Sequence, residues 1–203
     1  MSKLNHPIVE QSFAIIDREV GEHGLNPSEY AIARRVIHAT ADFEYLKLLQ
    51  FSTEAIEAGI AALQQGVPIV TDVNMVKQGI VSLVKKTFNN PVISAIDLAD
   101  VAEAGKTRTE TGMLRCWESY PQAVYLIGNA PTALLALCQQ LANSKVKPAL
   151  VIGVPVGFVS VVESKEALLK SNVPYITVRD RKGGSPAAAA ILNALLILAM
   201  EKS

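Results

Sequence analysis

The strongest constraint on this 203-residue chain is an alternation of short and long apolar patterns. Short apolar runs rich in β-branched residues fall at 69–73, 92–96, 123–127, 149–153 and 175–178. They are too short for helices, and turn residues bound them, so they read as strands. Between them, apolar residues recur at helical spacing over 75–82, 98–105, 108–119, 131–143, 161–170 and 186–202. Strand–helix alternation implies right-handed crossovers, and hence a parallel sheet covered on both faces. The expected class is α/β, and about five such strands favour a flavodoxin-like three-layer sandwich.

The first third of the chain departs from that rhythm. Asn5-His6-Pro7 can open a helix, in which Val9, Phe13, Ile16 and Val20 share one face before Gly21 and Gly24 stop it. Asn26, Pro27 and Glu29 then form a helix start of the capping-box type, and the segment continues through Ala31 and Ala33 toward His38. Residues 46–51 suggest one more short strand, and 53–65 a helix ended by Gly66. No Pro/Ser-rich linker, charge run or internal repeat interrupts the sequence, so a single domain over 1–203 is expected.

Half the residues are apolar and only 19% are charged, which is ample for one full core. The formal net charge is zero, arguing against nucleic acid or an anionic membrane as partner. Any anion site must come from local charges. Cys116 and Cys138 have neither CxxC spacing nor a disulfide framework, which suits a reducing cytoplasm. Residues 1–7 lack the apolar core of a signal peptide. The apolar run 186–200 is 15 residues long and includes Asn193, whereas a bilayer span needs about 20. It reads as a buried helix of a soluble protein.

In open parallel sheets, ligands sit beyond the carboxyl ends of the strands. The segments there read Asp72-Val73-Asn74-Met75, Asp97, Gly128-Asn129-Ala130-Pro131-Thr132, Gly153-Val154-Pro155-Val156-Gly157-Phe158 and Arg179-Asp180-Arg181-Lys182-Gly183-Gly184-Ser185-Pro186. The last combines three cations with two glycines before a helix start, and suits either an anion or a plain capped helix with a solvated basic loop. The densest polar cluster is Arg34-Arg35-Val36-Ile37-His38-Ala39-Thr40-Ala41-Asp42. On a helix both arginines fall three or four residues from His38, and the last carbonyls would favour a charged imidazole. Spacing alone leaves a polar patch at a helix end as an equal alternative.

Other chemistries lack their motifs. Gly105-Lys106-Thr107 resembles a P-loop, but Asp100 stands where its first glycine belongs. GxGxxG and GxSxG do not occur, and His6, His23 and His38 form no ligand-spaced set. Asp17, Glu19 and Glu22, like Lys85, Lys86, Lys165 and Lys170, read as solvated faces. What remains is a cofactor-free, metal-free site with one histidine and several arginines.

The sequence resembles the precorrin-8X methylmutases of cobalamin biosynthesis, also called cobalt-precorrin-8 methylmutases. The resemblance rests on Glu10-Gln11-Ser12-Phe13-Ala14-Ile15-Ile16, the cluster 34–42, Pro68-Ile69-Val70-Thr71-Asp72-Val73 and Lys106-Thr107-Arg108-Thr109. It extends through Gly128-Asn129-Ala130-Pro131-Thr132-Ala133-Leu134, Gly153-Val154-Pro155-Val156-Gly157-Phe158-Val159 and Lys182-Gly183-Gly184-Ser185. It implies a flavodoxin-like isomerase that moves a methyl group from C-11 to C-12 of a corrin-like macrocycle by a 1,5-sigmatropic shift, consuming no cofactor. The product would be hydrogenobyrinate or cobyrinate. The family's active-site histidine corresponds to His38, and its substrate-contacting serine and arginine to Ser12 and Arg35. A homodimer is the expected assembly.

Protonating a ring nitrogen would make the conjugated system electron-poor near the migrating methyl, and histidine can deliver that proton near neutral pH. The substrate carries many carboxylates. Arg35 and Arg108 can bind such groups bidentately, Ser12 can hydrogen-bond one, and helix starts at Pro131 and Pro186 offer further amide donors. For Arg108 a solvated surface arginine is the alternative. A corrinoid carrier with the same pocket and no chemistry is the competing function.

Overall fold

The computed structural model describes residues 6–203. Among them, the first helix, α1 (Pro7–Val20), starts where His6 accepts the Ile8 amide and Pro7 takes a first-turn position; Asn5 lies outside the described residues. The second, α2 (Pro27–Thr40), has the full capping box: Asn26 accepts the Glu29 amide while Glu29 accepts the Asn26 amide. One turn, α3 (Tyr45–Leu48), leads into β1 (Leu49–Phe51), so the expected strand at 46–51 is half helical.

The alternating part then follows in order: α4 (Ala55–Gln64), β2 (Ile69–Thr71), α5 (Asn74–Lys86), β3 (Val92–Ser94), α6 (Arg108–Ser119), β4 (Val124–Ile127), α7 (Pro131–Asn143), β5 (Leu150–Gly153), α8 (Val161–Leu169), β6 (Tyr175–Val178) and α9 (Ser185–Glu201). The strand order is β1-β6-β5-β4-β2-β3. Strands β2 to β6 are all parallel. Counted by themselves they give the order 2-1-3-4-5, the flavodoxin-like arrangement. The first strand, β1, adds to β6 antiparallel, with Leu49 opposite Val178.

Two expected helices change. The one at 98–105 is replaced by a short 3-10 turn, Ala95–Leu98, and irregular chain. It yields because α6 packs directly on that turn: a Cβ at Gly112 would lie 1.8 Å from the Ala95 carbonyl oxygen. The one expected at 75–82 runs on to Lys86.

One face of the sheet carries α4, α5 and α9, with α2 packed on α9 and α1 outside α2; α6, α7 and α8 cover the other. The central helix, α9, is apolar nearly all round because it is enclosed, and Ile191, Leu192, Leu195 and Leu196 are fully buried. Burying each such side chain contributes about 1.5–3 kcal/mol. Among the described residues, no helix is long and apolar enough to cross a membrane. Both cysteines are free and buried, and burial pushes each thiol up to about 12.

One surface expectation is corrected. Lys165 is not solvated: it is 3% exposed, and its ammonium donates to the carbonyls of Asp180 at 2.7 Å and Lys182 at 2.5 Å. Burial lowers its pKa to about 8, and the Asp180 carboxylate opposes that shift. Asp17 joins α1 to α2, accepting from Tyr30 Oη at 2.6 Å and Arg34 Nη1 at 2.9 Å. The P-loop-like triplet is a helix start. Thr107 caps α6 in a capping box with Glu110, and Lys106 pairs with Glu103 at 2.6 Å.

Candidate active site

The end of α2 is closed by its own side chains. Thr40 Oγ1 donates to the Val36 carbonyl, and Ala41, in the left-handed region at φ 54°, donates its amide to Ile37. His38 therefore sits in the last turn, facing α1. Ser12 Oγ lies 2.7 Å from His38 Nδ1. The Phe13 ring meets the imidazole edge-on, with centroids 5.5 Å apart and planes at 81°. The Arg34 and Arg35 guanidiniums lie 4.5 and 5.4 Å from the centroid of that same phenyl ring. One aromatic plate thus orders the imidazole and both cations, a role its place in an apolar stripe does not reveal.

The two arginines have separate tasks. Arg34 is bound to Asp17 across the helix pair. Arg35 acts on His38 through its charge. The imidazole pKa is lowered from its ordinary 6.5, first by burial and then by Arg35. This corrects the expectation from the helix end alone, because desolvation and a neighbouring cation outweigh the terminal carbonyls. Both influences favour the neutral imidazole in the free site. If Ser12 donates to Nδ1, the remaining proton is on Nε2, which has no hydrogen-bond partner among the described residues. Burial and Arg34 lower the Arg35 pKa, while Glu10 counteracts them; the guanidinium nevertheless remains charged.

His38 opens into a cleft of about 480 Å3, with Ser12, Ile15, Ile37, Ala41 and Phe43 among its walls. Its walls come from α1, α2 and the segment after α2, and none of the loops that leave the parallel strands lines it, although that segment is bonded to the loop that leaves β6. Lys182 Nζ reaches Asp42 at 2.5 Å and also pairs with Glu44, and Tyr45 Oη donates to the Gly183 carbonyl at 3.1 Å. These acids hold the Lys182 pKa well above the ordinary lysine value, and the ammonium holds the Asp42 carboxyl low. Lys182 is thus engaged by protein acids, and Arg181 lies 5.5 Å from the exposed Phe158 ring. A larger cavity, about 540 Å3, opens between Pro68, Gln122 and Lys147 at the amino ends of the strands, away from His38.

Of the site residues expected from sequence, Ser12, Arg35 and His38 come together, while Arg108 does not line their cleft. Arg108 begins α6, and its guanidinium donates to the carbonyls of Ala99 and Ile96 at 2.9 and 3.3 Å. The amides before Pro131 are also occupied. Asp72, fully buried, accepts from Gly128, Asn129 and Ala130 at 3.2, 2.7 and 2.8 Å, and from Val73 at 3.0 Å. Burial raises its pKa, and those amides work against the rise. Asp72 stood within a recognised motif, but only the juxtaposition of β2 with the loop after β4 reveals its task.

The family model for precorrin-8X methylmutase matches residues 7–198. The chain is 58% identical to the cobalt-precorrin-8 methylmutase of Synechocystis sp., over 98% of each chain. It is 42% identical to the precorrin-8X methylmutase of Pseudomonas aeruginosa, over 93% of each. A solved precorrin-8X methylmutase from Thermus thermophilus superposes with a TM-score of 0.88 at 42% identity, covering 96% of each chain. The chain belongs to the precorrin-8X methylmutase family.

Proposed function

We propose that this protein is an isomerase that moves a methyl group from C-11 to C-12 of precorrin-8X, or of its cobalt-containing form, in cobalamin biosynthesis. The observation that carries this reading is the Ser12–His38 contact of 2.7 Å, beside Arg35 and facing an open cleft. It supplies a directed proton donor and a fixed cation, which is what a basic, polycarboxylate macrocycle requires.

His38 presents Nε2 to a macrocycle nitrogen, withdrawing electron density from the conjugated path along which the methyl migrates. Because the reaction is an isomerisation, a proton lent by His38 returns to it, and no co-reactant is consumed. Ser12 acts chiefly through His38. In the neutral ring Ser12 donates to Nδ1 and keeps the hydrogen on Nε2; once His38 is protonated the bond reverses, Nδ1–H donates to Ser12 Oγ, and the Nε2 proton is the one lent to the macrocycle and returned. Arg35 binds a substrate carboxylate. That anion offsets the charge that depresses the imidazole pKa in the free site, so substrate binding makes His38 easier to protonate. Arg108 is proposed as a peripheral carboxylate contact, through guanidinium donors beyond the two bonded to Ala99 and Ile96.

The protein is further proposed to be cytoplasmic and to work as a homodimer. The deciding experiment incubates purified protein with metal-free and with cobalt-containing precorrin-8 and follows the visible spectrum. Conversion of either form supports an enzyme and identifies the preferred substrate. Binding of both without conversion would make the protein a corrinoid carrier.

A further inference from the structure

Lys182 lies 140 positions from Asp42, yet its ammonium is the junction between the two halves of the cleft region. Its partners, Asp42 and Glu44, follow directly on the αL cap of α2, and flank Phe43 in the cleft wall. Asp42 also accepts the Glu44 amide at 3.0 Å, so one carboxylate folds the turn while the single cation pairs with both acids. Without that cation two carboxylates would face each other across a single residue.

The loop that carries Lys182 is itself anchored. Buried Lys165 holds the carbonyls of Asp180 and Lys182 from α8. The Gly184 amide donates to the Val154 carbonyl at 2.8 Å, and a Cβ at Gly183 (φ 150°) would lie 2.2 Å from that same oxygen. Tyr45, 3% exposed, adds the hydroxyl bond to Gly183. A rigid loop thus presents one ammonium to a segment that has only a single helical turn, α3, beyond it.

We propose that Lys182 is a positioning residue for the methyl shift: through Asp42 and Glu44 it fixes the chain after α2, and so keeps the cleft wall and the His38 imidazole in register with Ser12. The inference rests on the proposed isomerase reading. Lys182 is bonded to Asp42 and Glu44, and its effect on His38 passes through the segment 41–45. Displacing a catalytic group by about 1 Å costs up to roughly a hundredfold in rate.

The test pairs Lys182→Met with Lys182→Arg and with the double variant Asp42→Asn/Glu44→Gln. Turnover of precorrin-8, with and without cobalt, is measured together with 15N NMR of the ring nitrogens, assigned by comparison with His38→Ala. Three histidines in the chain make that assignment tractable. Lys182→Met should lower kcat roughly tenfold to a hundredfold with KM within about twofold. Its His38 nitrogens should shift toward a mixture of tautomers, and Lys182→Arg should restore most of both signals. The double variant, which keeps the lysine, should reproduce the defect even if Lys182→Met fails to fold. Unchanged kcat with unchanged ring shifts overturns the proposal. So does a raised KM at constant kcat, which would make Lys182 a direct substrate ligand. If the wild-type protein turns over neither substrate, the isomerase reading fails, while the NMR comparison still decides whether Lys182 holds the imidazole.

Discussion

Two polar clusters, one beyond the end of β2 and one between α1 and α2, are built from similar materials and used in opposite ways. At Asp72, a buried carboxylate meets the amides of Gly128, Asn129 and Ala130, and every partner is supplied by the fold. At His38, the groups satisfy one another only in part. Nδ1 is bonded to Ser12 and Arg34 to Asp17, while the imidazole lines the open cleft. A closed network contributes stability, whereas one with an open donor next to solvent contributes recognition and chemistry. The difference teaches that anion-friendly backbone is not by itself a ligand site, since the protein has already placed its own acceptor there.

The comparison breaks if variants in the two clusters fail alike. The largest effect is expected for His38→Ala: turnover falls by about 10²–10⁴-fold, with product binding and melting temperature nearly unchanged. Retained turnover in a spectrophotometric assay would remove the proton-donor role. Asp72→Ala should do the reverse, destabilising the fold by about 3 kcal/mol or more in urea titration, because buried amides lose their acceptor. Asp72→Asn should recover little of that loss, since its amide nitrogen would face donors where Asp72 Oδ1 or Oδ2 now accepts.

Smaller effects sharpen the picture on the cleft side. Arg35→Gln removes a cation that lowers the His38 pKa, so the NMR-titrated pKa should rise toward 6.5 while burial still holds it below. Product affinity should fall by several-fold and depend less on salt, because one ionic contact is lost. An unshifted titration would show that Arg35 does not act on the imidazole. The smallest effect concerns stability. His38 binds its proton less tightly folded than unfolded, so the unfolded chain takes up more protons between the lowered pKa and 6.5. Stability should therefore decline as pH falls below 6.5 and level off below the folded value, and His38→Ala should flatten that slope.

Much of this was legible before any coordinates. The alternation of strands and helices gives the parallel sheet because β-branched runs and helical periodicity are local signals. The capping box at Asn26–Glu29 and the start of α6 at Arg108 are local as well, and both appear where the sequence places them. Leu46 and Leu48 misled because a short apolar run does not distinguish one helical turn from a strand; pairing of Leu49 with Val178 decides it. Residues 98–105 lack a helix because their conformation follows from packing under Gly112, which no local pattern encodes.

The cluster at 34–42 divides along the same line. The sequence by itself determined that His38 sits on one side of a helix with two arginines near it, because helical geometry depends only on spacing. Family resemblance singled out the histidine, Ser12 and Arg35. Only the tertiary structure decided that Arg34 belongs to Asp17, that Asp42 belongs to Lys182 and that Ser12 turns toward the imidazole. It also decided that burial and Arg35 lower the imidazole pKa from its ordinary value. Those outcomes depend on desolvation and on charges brought from distant segments. Such terms fall off over a few ångströms of space and are blind to distance along the chain.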